Sequence, residues 1–262
     1  MKIAFDLISD LHIETWDSFD WAGQATSPVC LVAGDVAKDT DVLIETLTHL
    51  GQHYQAVFYI DGNDEHRDYL NDIHDNYTSL KHQLSTIPNV VYLQDNVIII
   101  NGVALLGTNG WFTWDFDPAM SIEDSQLWYK DHTLCSDHVA ESITELATND
   151  AVYLRESIGK LQTHQDVKNI VIMTHTVPSP VFIQHDIDLA GTYRFNCIGN
   201  SLMQYVLDND LEKKVKTWCF GHYHGDVDTT INGIRYVNNC RGRGDTKWKK
   251  SVYYPRRIEI EF

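Results

Sequence analysis

Positive charge is scarce in this chain: 20 lysines and arginines stand against 37 aspartates and glutamates, a formal net charge of −17 at pH 7. Such a surface repels nucleic-acid polymers over most of its area, and no nucleic-acid-binding module is visible, so a polymer-directed nuclease is disfavoured. Cysteine offers no framework either. The five cysteines (Cys30, Cys135, Cys197, Cys219 and Cys240) are odd in number and form no CxxC pair, which argues against structural disulfides. No stretch approaches the run of about 18 apolar residues that a membrane helix needs. The N-terminus runs directly into Lys2-Ile3-Ala4-Phe5-Asp6 without a signal-peptide pattern. These absences predict a cytoplasmic protein with no membrane partner. Neither an internal repeat nor a low-complexity tract is present.

What is present suits one large core. The chain has 262 residues, 43% of them hydrophobic, which excludes extensive disorder and predicts a single domain over 1–262. Seven of its 20 basic residues are concentrated near the C-terminus, at Arg241, Arg243, Lys247, Lys249, Lys250, Arg256 and Arg257. They form either a solvated loop or a contact for a phosphate-bearing substrate. Arg241 and Arg243 are the candidates for the contact, because they directly follow a predicted strand.

Hydrophobic periodicity predicts strands over 3–9, 29–33, 55–60, 169–174 and 216–220, and helices over 41–50, about 68–84, about 138–163 and 199–209. Short apolar runs at 90–93, 96–100 and 103–106 read as a meander. Asn232-Gly233, between runs at 227–230 and 234–237, is a hairpin signal. The pairs 253–254 and the stretch 257–262 read as closing strands. Strands separated by helices, with hairpins later, predict an α/β sandwich with mixed sheets. From Gly107 to about Asp137 the pattern breaks, and Trp111, Phe112, Trp114, Phe116, Trp128 and Tyr129 alternate with acidic residues. This 107–137 segment reads as a lid or insertion. It would wall the site, pack a small core of its own, or bury against a second copy of the chain.

Five strand ends carry metal-capable side chains in a fixed order: Ser9-Asp10-Leu11-His12, Ala33-Gly34-Asp35, Asp61-Gly62-Asn63-Asp64-Glu65, Thr174-His175 and Gly221-His222-Tyr223-His224. A lone HxH among 13 histidines carries little weight. Donors at five strand termini carry more, because α/β sheets bind ligands in the crevice beyond their strand carboxyl ends. Asp35 is suited to bridge, since a carboxylate has two oxygens to share. Asn63 offers a neutral amide oxygen, and Asp10, His12, His175, His222 and His224 complete an oxygen and nitrogen set. Such donors suit manganese, iron, zinc, cobalt or nickel, and argue against calcium alone or a structural zinc knot. The expected cofactors are two divalent or trivalent transition-metal ions, with manganese, iron or zinc foremost.

Taken in order, these motifs resemble those of the calcineurin-like metallophosphoesterases: D-x-H, G-D, G-N-H-(E/D), H and G-H-x-H. Asp10-Leu11-His12 matches the first, Gly34-Asp35 the second, His175 the fourth and Gly221-His222-Tyr223-His224 the fifth. The likeness spans about residues 1–240. It implies a four-layer α/β/β/α sandwich with two mixed β-sheets and a dinuclear centre. By that likeness Asp10, His12, Asp35 and His224 hold one metal, while Asp35, Asn63, His175 and His222 hold the other. The third motif departs, because Asp64 follows Asn63 where the family has a histidine that orients phosphate and helps protonate the leaving group. A carboxylate is mostly ionised at neutral pH, the more so beside cations, and repels phosphate. His66, two residues on, is a candidate substitute, with an ordinary surface histidine as the alternative; His185 is a more distant candidate.

The resemblance implies a metal-dependent phosphoesterase in which a metal-bridging hydroxide attacks phosphorus in line. If Asp64 gives no proton, good leaving groups are favoured, which points to small phosphodiesters over alkyl monoesters. A phosphomonoesterase is the alternative among enzymes. A catalytically weak metal-binding or scaffold protein is the alternative outside them.

Overall fold

The computed structural model describes residues 2–136 and 138–261. Met1, Asp137 and Phe262 lie outside the described residues, and with them the ends of the stretches predicted over 107–137 and 257–262. The first sheet contains β1 (Lys2–Ile8), β2 (Val29–Ala33), β3 (Ala56–Ile60) and β4 (Val90–Tyr92), all parallel. The last strand, Arg256–Glu261, joins it antiparallel to β1. The second sheet contains β5 (Asn96–Ile100), β6 (Val103–Thr108), β7 (Asn169–Thr174), β8 (Val215–Phe220), β9 (Asp228–Ile231) and β10 (Ile234–Asn238). With Arg256–Glu261 as β11, the strand orders are β11-β1-β2-β3-β4 and β5-β6-β7-β8-β10-β9.

Two-residue alternation sorts the side chains into layers. Val29, Leu31 and Ala33 of β2 meet Val171 and Met173 of β7 between the sheets. Cys30 and Val32 turn outward under helices α1 (Thr40–Gly51) and α2 (Ile73–Leu84). Ile170 and Ile172 turn outward under α4 (His138–Gln162), which contributes Leu154 and Ile158. The result is a four-layer α/β/β/α sandwich with two mixed sheets, as expected. Helix α1 starts where Asp39 accepts a hydrogen bond from the Val42 amide at 3.0 Å, a side-chain cap. It buries Leu43, Leu47 and Leu50, spaced for one face. Truncating Leu47 to alanine should cost about 2–5 kcal/mol, the usual range for a buried leucine. No helix among the described residues is long and apolar enough to cross a membrane.

Several local expectations are corrected. The runs at 90–93, 96–100 and 103–106 are not one meander: β4 closes the first sheet, and β5–β6 form a hairpin at the edge of the second. Short apolar runs do not reveal which sheet they join. The stretches Asp64–Asp72 and Ser201–Asn209 are 3-10 rather than α-helical. Tyr253–Tyr254 forms no strand. The Asn232-Gly233 hairpin forms, with both residues at positive φ (52° and 82°), as its turn type demands.

The segment after β6 holds a further helix, α3 (Ile122–Thr133), which the broken periodicity hid. Its signal is the Ser121 cap, which accepts from the Asp124 amide at 3.2 Å, followed by an acidic first turn. Trp111, Phe112, Trp114 and Tyr129 are buried against Val139, Ile143 and Ala147 of α4. Trp111 Nε1 donates to Tyr77 Oη at 2.7 Å and Trp114 Nε1 to Thr144 Oγ1 at 2.9 Å, so the polar edges are satisfied inside. These rings share one core with Leu70, Ile73 and Cys197 as well as with α4.

Candidate metal centre

Strands β1, β2, β3, β7 and β8 end at a common edge, and the residues just beyond them turn inward. Asp10, His12, Asp35 and His222 have left-handed backbones, with φ of 50°, 42°, 52° and 63°. That conformation costs an L-residue about 1–3 kcal/mol, and such strain concentrates where a side-chain direction matters more than backbone comfort. Gly34 has φ 82°, and a Cβ there would meet His175 Nδ1 at 2.5 Å. Glycine lets the β2 loop and His175 come together.

Hydrogen bonds fix the tautomers on one side. His175 donates from Nδ1 to the Ala33 carbonyl at 2.9 Å, and His222 donates from Nε2 to the Cys197 carbonyl at 3.0 Å. A carbonyl only accepts, so both imidazole hydrogens are assigned. The remaining nitrogens, His175 Nε2 and His222 Nδ1, face each other at 3.2 Å. Asn63 Oδ1 lies 3.1 Å and Asp35 Oδ1 3.3 Å from His175 Nε2. Electron-rich atoms converge here, and either a proton on His175 or a cation among them relieves their repulsion. Two nitrogens on one tetrahedral ion, each about 2.1 Å from it, stand about 3.4 Å apart.

The other side repeats the pattern. His12 Nε2 and His224 Nε2 are 3.2 Å apart, and Asp10 Oδ1 is 3.1 Å from His224 Nε2. Asp35 Oδ2 is 3.8 Å from His12 Nε2, so this one carboxylate turns an oxygen to each pair. Three groupings could each hold a metal ion: Asp10, His12 and His224; Asp35, His175 and His222; and His12, Asp35 and Asp64. His12 Nδ1 is 3.3 Å from Asp64 Oδ2 but is poorly directed for a hydrogen bond.

The electrostatics match. Burial alone would lower His12, but the Asp64, Asp35 and Asp10 carboxylates override it and push the imidazole up to about 9. His175 behaves likewise under Asp35 and Asp10 and is pushed up to about 10. His222 falls to about 4, through burial and the neighbouring His175 charge. Burial would raise Asp10, yet the surrounding histidines hold its carboxyl well below the usual range. A cluster that favours protons on buried imidazoles also favours a metal cation at the same place, and the donors present fit one.

His12, Asp35, Asn63, His222 and His224 line a cleft of about 480 Å³. Asp64 faces it and accepts from Arg243 Nη1 at 3.2 Å. His66 does not face it. Its Nε2 is 2.8 Å from Asp61 Oδ2, its Nδ1 is 3.0 Å from Asn76 Nδ2, and the ring is buried. The cause is the 3-10 turn: with three residues per turn, position 66 points away from the face carrying Asp64, and Arg67 returns to it. Arg241 also departs from expectation. Gly242, at φ 79°, turns the chain, so Arg241 stacks on Trp16 at 3.9 Å while Arg243 enters the cleft. His185 is exposed and lies outside the cleft lining.

Sequence reasoning passed over several cleft residues. Lys38, Arg67 and Arg194 line it with Phe112, Trp128, Tyr129 and His132. Lys38 and Arg67 stand three residues beyond Asp35 and Asp64, a proximity to the motifs that could have exposed them. Glu65 has a structural part that its place in the third motif does not reveal. Its buried carboxylate accepts from the amides of Asp35 at 3.1 Å, Val36 at 2.6 Å and Gly62 at 2.7 Å, clasping the second and third motifs together.

No protein-family model matches the chain. An uncharacterised protein, L509, of Acanthamoeba polyphaga mimivirus is 24% identical over 259 residues, covering 90% of this chain and 89% of that one. Among solved structures, phosphopantetheinyl hydrolase (PptH) from Mycobacterium tuberculosis superposes with a TM-score of 0.69 at 18% identity, over 98% of this chain and 96% of that one. A putative 5′-nucleotidase from Staphylococcus aureus aligns with all of this chain and 51% of its own, at 13% identity and a TM-score of 0.49. The chain thus has an α/β fold of two mixed sheets flanked by helices that matches a calcineurin-like metallophosphoesterase architecture, with His/Asp groupings that could hold divalent metal.

Proposed function

We propose that the protein is a dinuclear metal-dependent phosphoesterase acting on small phosphodiesters with good leaving groups. The observation that carries this reading is Asp35, whose two oxygens face separate pairs of imidazole nitrogens. On this reading Asp10, His12, Asp35 and His224 hold one ion, and Asp35, Asn63, His175 and His222 the other. Ions held there supply Lewis acidity at the phosphoryl oxygens and lower the pKa of a water molecule.

The chain's own residues set the preference for leaving group. Burial would raise the Asp64 carboxyl, but His12 beside it holds it well below the usual range. Asp64 is therefore an acceptor for Arg243, not a proton donor. Leaving groups that depart without a proton are favoured, which selects aryl and similar esters. Arg243 brings a fixed guanidinium to the cleft, suited to a phosphoryl oxygen. Half-buried Trp128, backed by Phe112 and Tyr129, offers an aromatic face for a flat leaving group. Small phosphate esters rather than polymers are the expected partners.

The test uses protein stripped of metal and reloaded with Mn²⁺. Bis(p-nitrophenyl) phosphate and p-nitrophenyl phosphate are compared on one batch, with Asp35→Asn as the blank. Diester turnover that exceeds monoester turnover and vanishes in the blank is the expected result. Equal or faster monoester turnover would establish the phosphomonoesterase alternative. Two ions bound with neither ester cleaved would remove the enzymatic reading and leave a metal-binding scaffold.

A further inference from the structure

The cleft carries more positive charge than one phosphodiester requires. Lys38, Arg67, Arg194 and Arg243 all line it, in a chain where acids outnumber bases 37 to 20. Arg243 is committed to Asp64. Among the described residues, Lys38, Arg67 and Arg194 have no carboxylate within 4.0 Å. Leaving three cations in one cleft without a carboxylate in contact is unexpected when carboxylates are so abundant. A concave, basic patch on an acidic molecule focuses its field on anions. A diester brings only one negative charge, which the ions of the proposed centre would already address.

The geometry separates these cations by wall. Arg67 sits on the 3-10 face that carries Asp64, and its Nη2 reaches the His132 carbonyl at the end of α3 at 3.4 Å. Lys38 and Arg67 both lie near enough to Asp64 for their charges to act on it. Arg194 stands on the other side, against His222 and His224. Beside Arg67, the Trp128 and His132 rings stack on each other with centroids 4.1 Å apart and planes 28° from parallel, so the stack has an outer ring face on which a further ring could lie. A ring face and a cation pair on one wall suit a substrate that has a ring and a further anion.

We infer that the cleft takes phosphodiesters carrying a second, non-scissile phosphate, which Arg67 and Lys38 hold while a flat ring extends the Trp128–His132 stack. This rests on the phosphoesterase reading. The reaction is hydrolysis: one P–O bond to the leaving group breaks, one P–O bond to a water oxygen forms, and the water protons pass to the alcohol and to solvent.

Three esters with one leaving group test the inference: bis(p-nitrophenyl) phosphate, the p-nitrophenyl ester of thymidine 5′-phosphate, and its 3′-phosphorylated analogue. The 3′-phosphate should raise kcat/KM by at least about tenfold, the effect of one charge-assisted contact. In Arg67→Gln and Lys38→Gln that ratio should collapse toward one, and Arg67→Lys should restore part of it. A second readout needs no turnover. Calorimetry on Mn²⁺-loaded protein should find thymidine 3′,5′-bisphosphate binding at least about tenfold tighter than thymidine 5′-phosphate, with the gap lost in Arg67→Gln. Equal binding of the two nucleotides overturns the inference even if diesters are cleaved. Tighter bisphosphate binding without cleavage of any ester upholds the anion subsite and removes the catalytic reading instead.

Discussion

Arg243 donates from Nη1 to Asp64 Oδ2 at 3.2 Å, across a sequence separation of 179 residues. The contact forms because the chain after β10 lies on the loop after β1: the amides of Arg241 and Gly242 donate to the Ser9 and Asp10 carbonyls, each at 3.0 Å. Replacing Asp64 with histidine removes the acceptor and adds a titratable donor. Asp64→His should raise hydrolysis of alkyl esters relative to aryl esters by about 10²-fold, the lower range for general acid catalysis. Steady-state rates on matched alkyl and aryl diesters check this. An unchanged substrate ranking would show that Asp64 does not set the leaving-group preference.

His175 offers its Nε2 to one cluster only, whereas His12 and His224 serve the other. His175→Ala should therefore lower bound Mn²⁺ from two ions per chain to one. Elemental analysis after gel filtration reads the stoichiometry. Retention of both ions would exclude His175 as a ligand. Metal should also stabilise the wild type: at a free concentration about 100 times Kd, one bound ion adds about 2.7 kcal/mol, which excess EDTA removes.

Glu65 holds the two motif loops through three backbone amides. Glu65→Gln leaves one carbonyl oxygen and turns an NH₂ group toward donors. A loss of about 2–3 kcal/mol is expected from the unsatisfied amides. Chemical denaturation in EDTA measures it without interference from metal. Unaltered stability would mean that the loops hold their geometry without this clasp.

Asp150 of α4 makes a prediction about pH. Its carboxyl accepts from Gly110 N at 2.7 Å, Trp111 N at 3.2 Å, Gln94 Nε2 at 3.2 Å and Thr108 Oγ1. Burial, helped by the Asp95 charge, pushes it up to about 7. The folded protein then keeps a proton that the unfolded chain releases near pH 4, so stability declines as pH rises from about 4 to about 7. Asp150→Asn removes this component, worth up to a few kcal/mol. In EDTA, its Tm should fall less than that of the wild type across this window. Superimposable Tm profiles would refute the assignment.

Strand ends and glycines make much of the architecture legible in the residues themselves. Gly34-Asp35 and Gly221-His222 follow buried apolar runs, and covalent adjacency alone puts them at the carboxyl edge of a sheet. The Asn232-Gly233 turn is legible for the same reason, since its backbone demand is local. Contacts between distant segments are not written that way. Neither the pairing of Arg243 with Asp64 nor the sheet joined by β4 follows from local pattern.

Residue order thus determines the fold class, the donor set at the strand ends and the departure at Asp64, because each depends on short-range spacing and side-chain chemistry. Which way a side chain points depends on backbone dihedrals and packing. The 3-10 turn swings His66 inward to Asp61 and brings Arg67 beside Asp64, and the left-handed Gly242 separates Arg241 from Arg243. A rotation of one turn, or one positive φ, changes which groups meet in the cleft while leaving the order of the residues untouched.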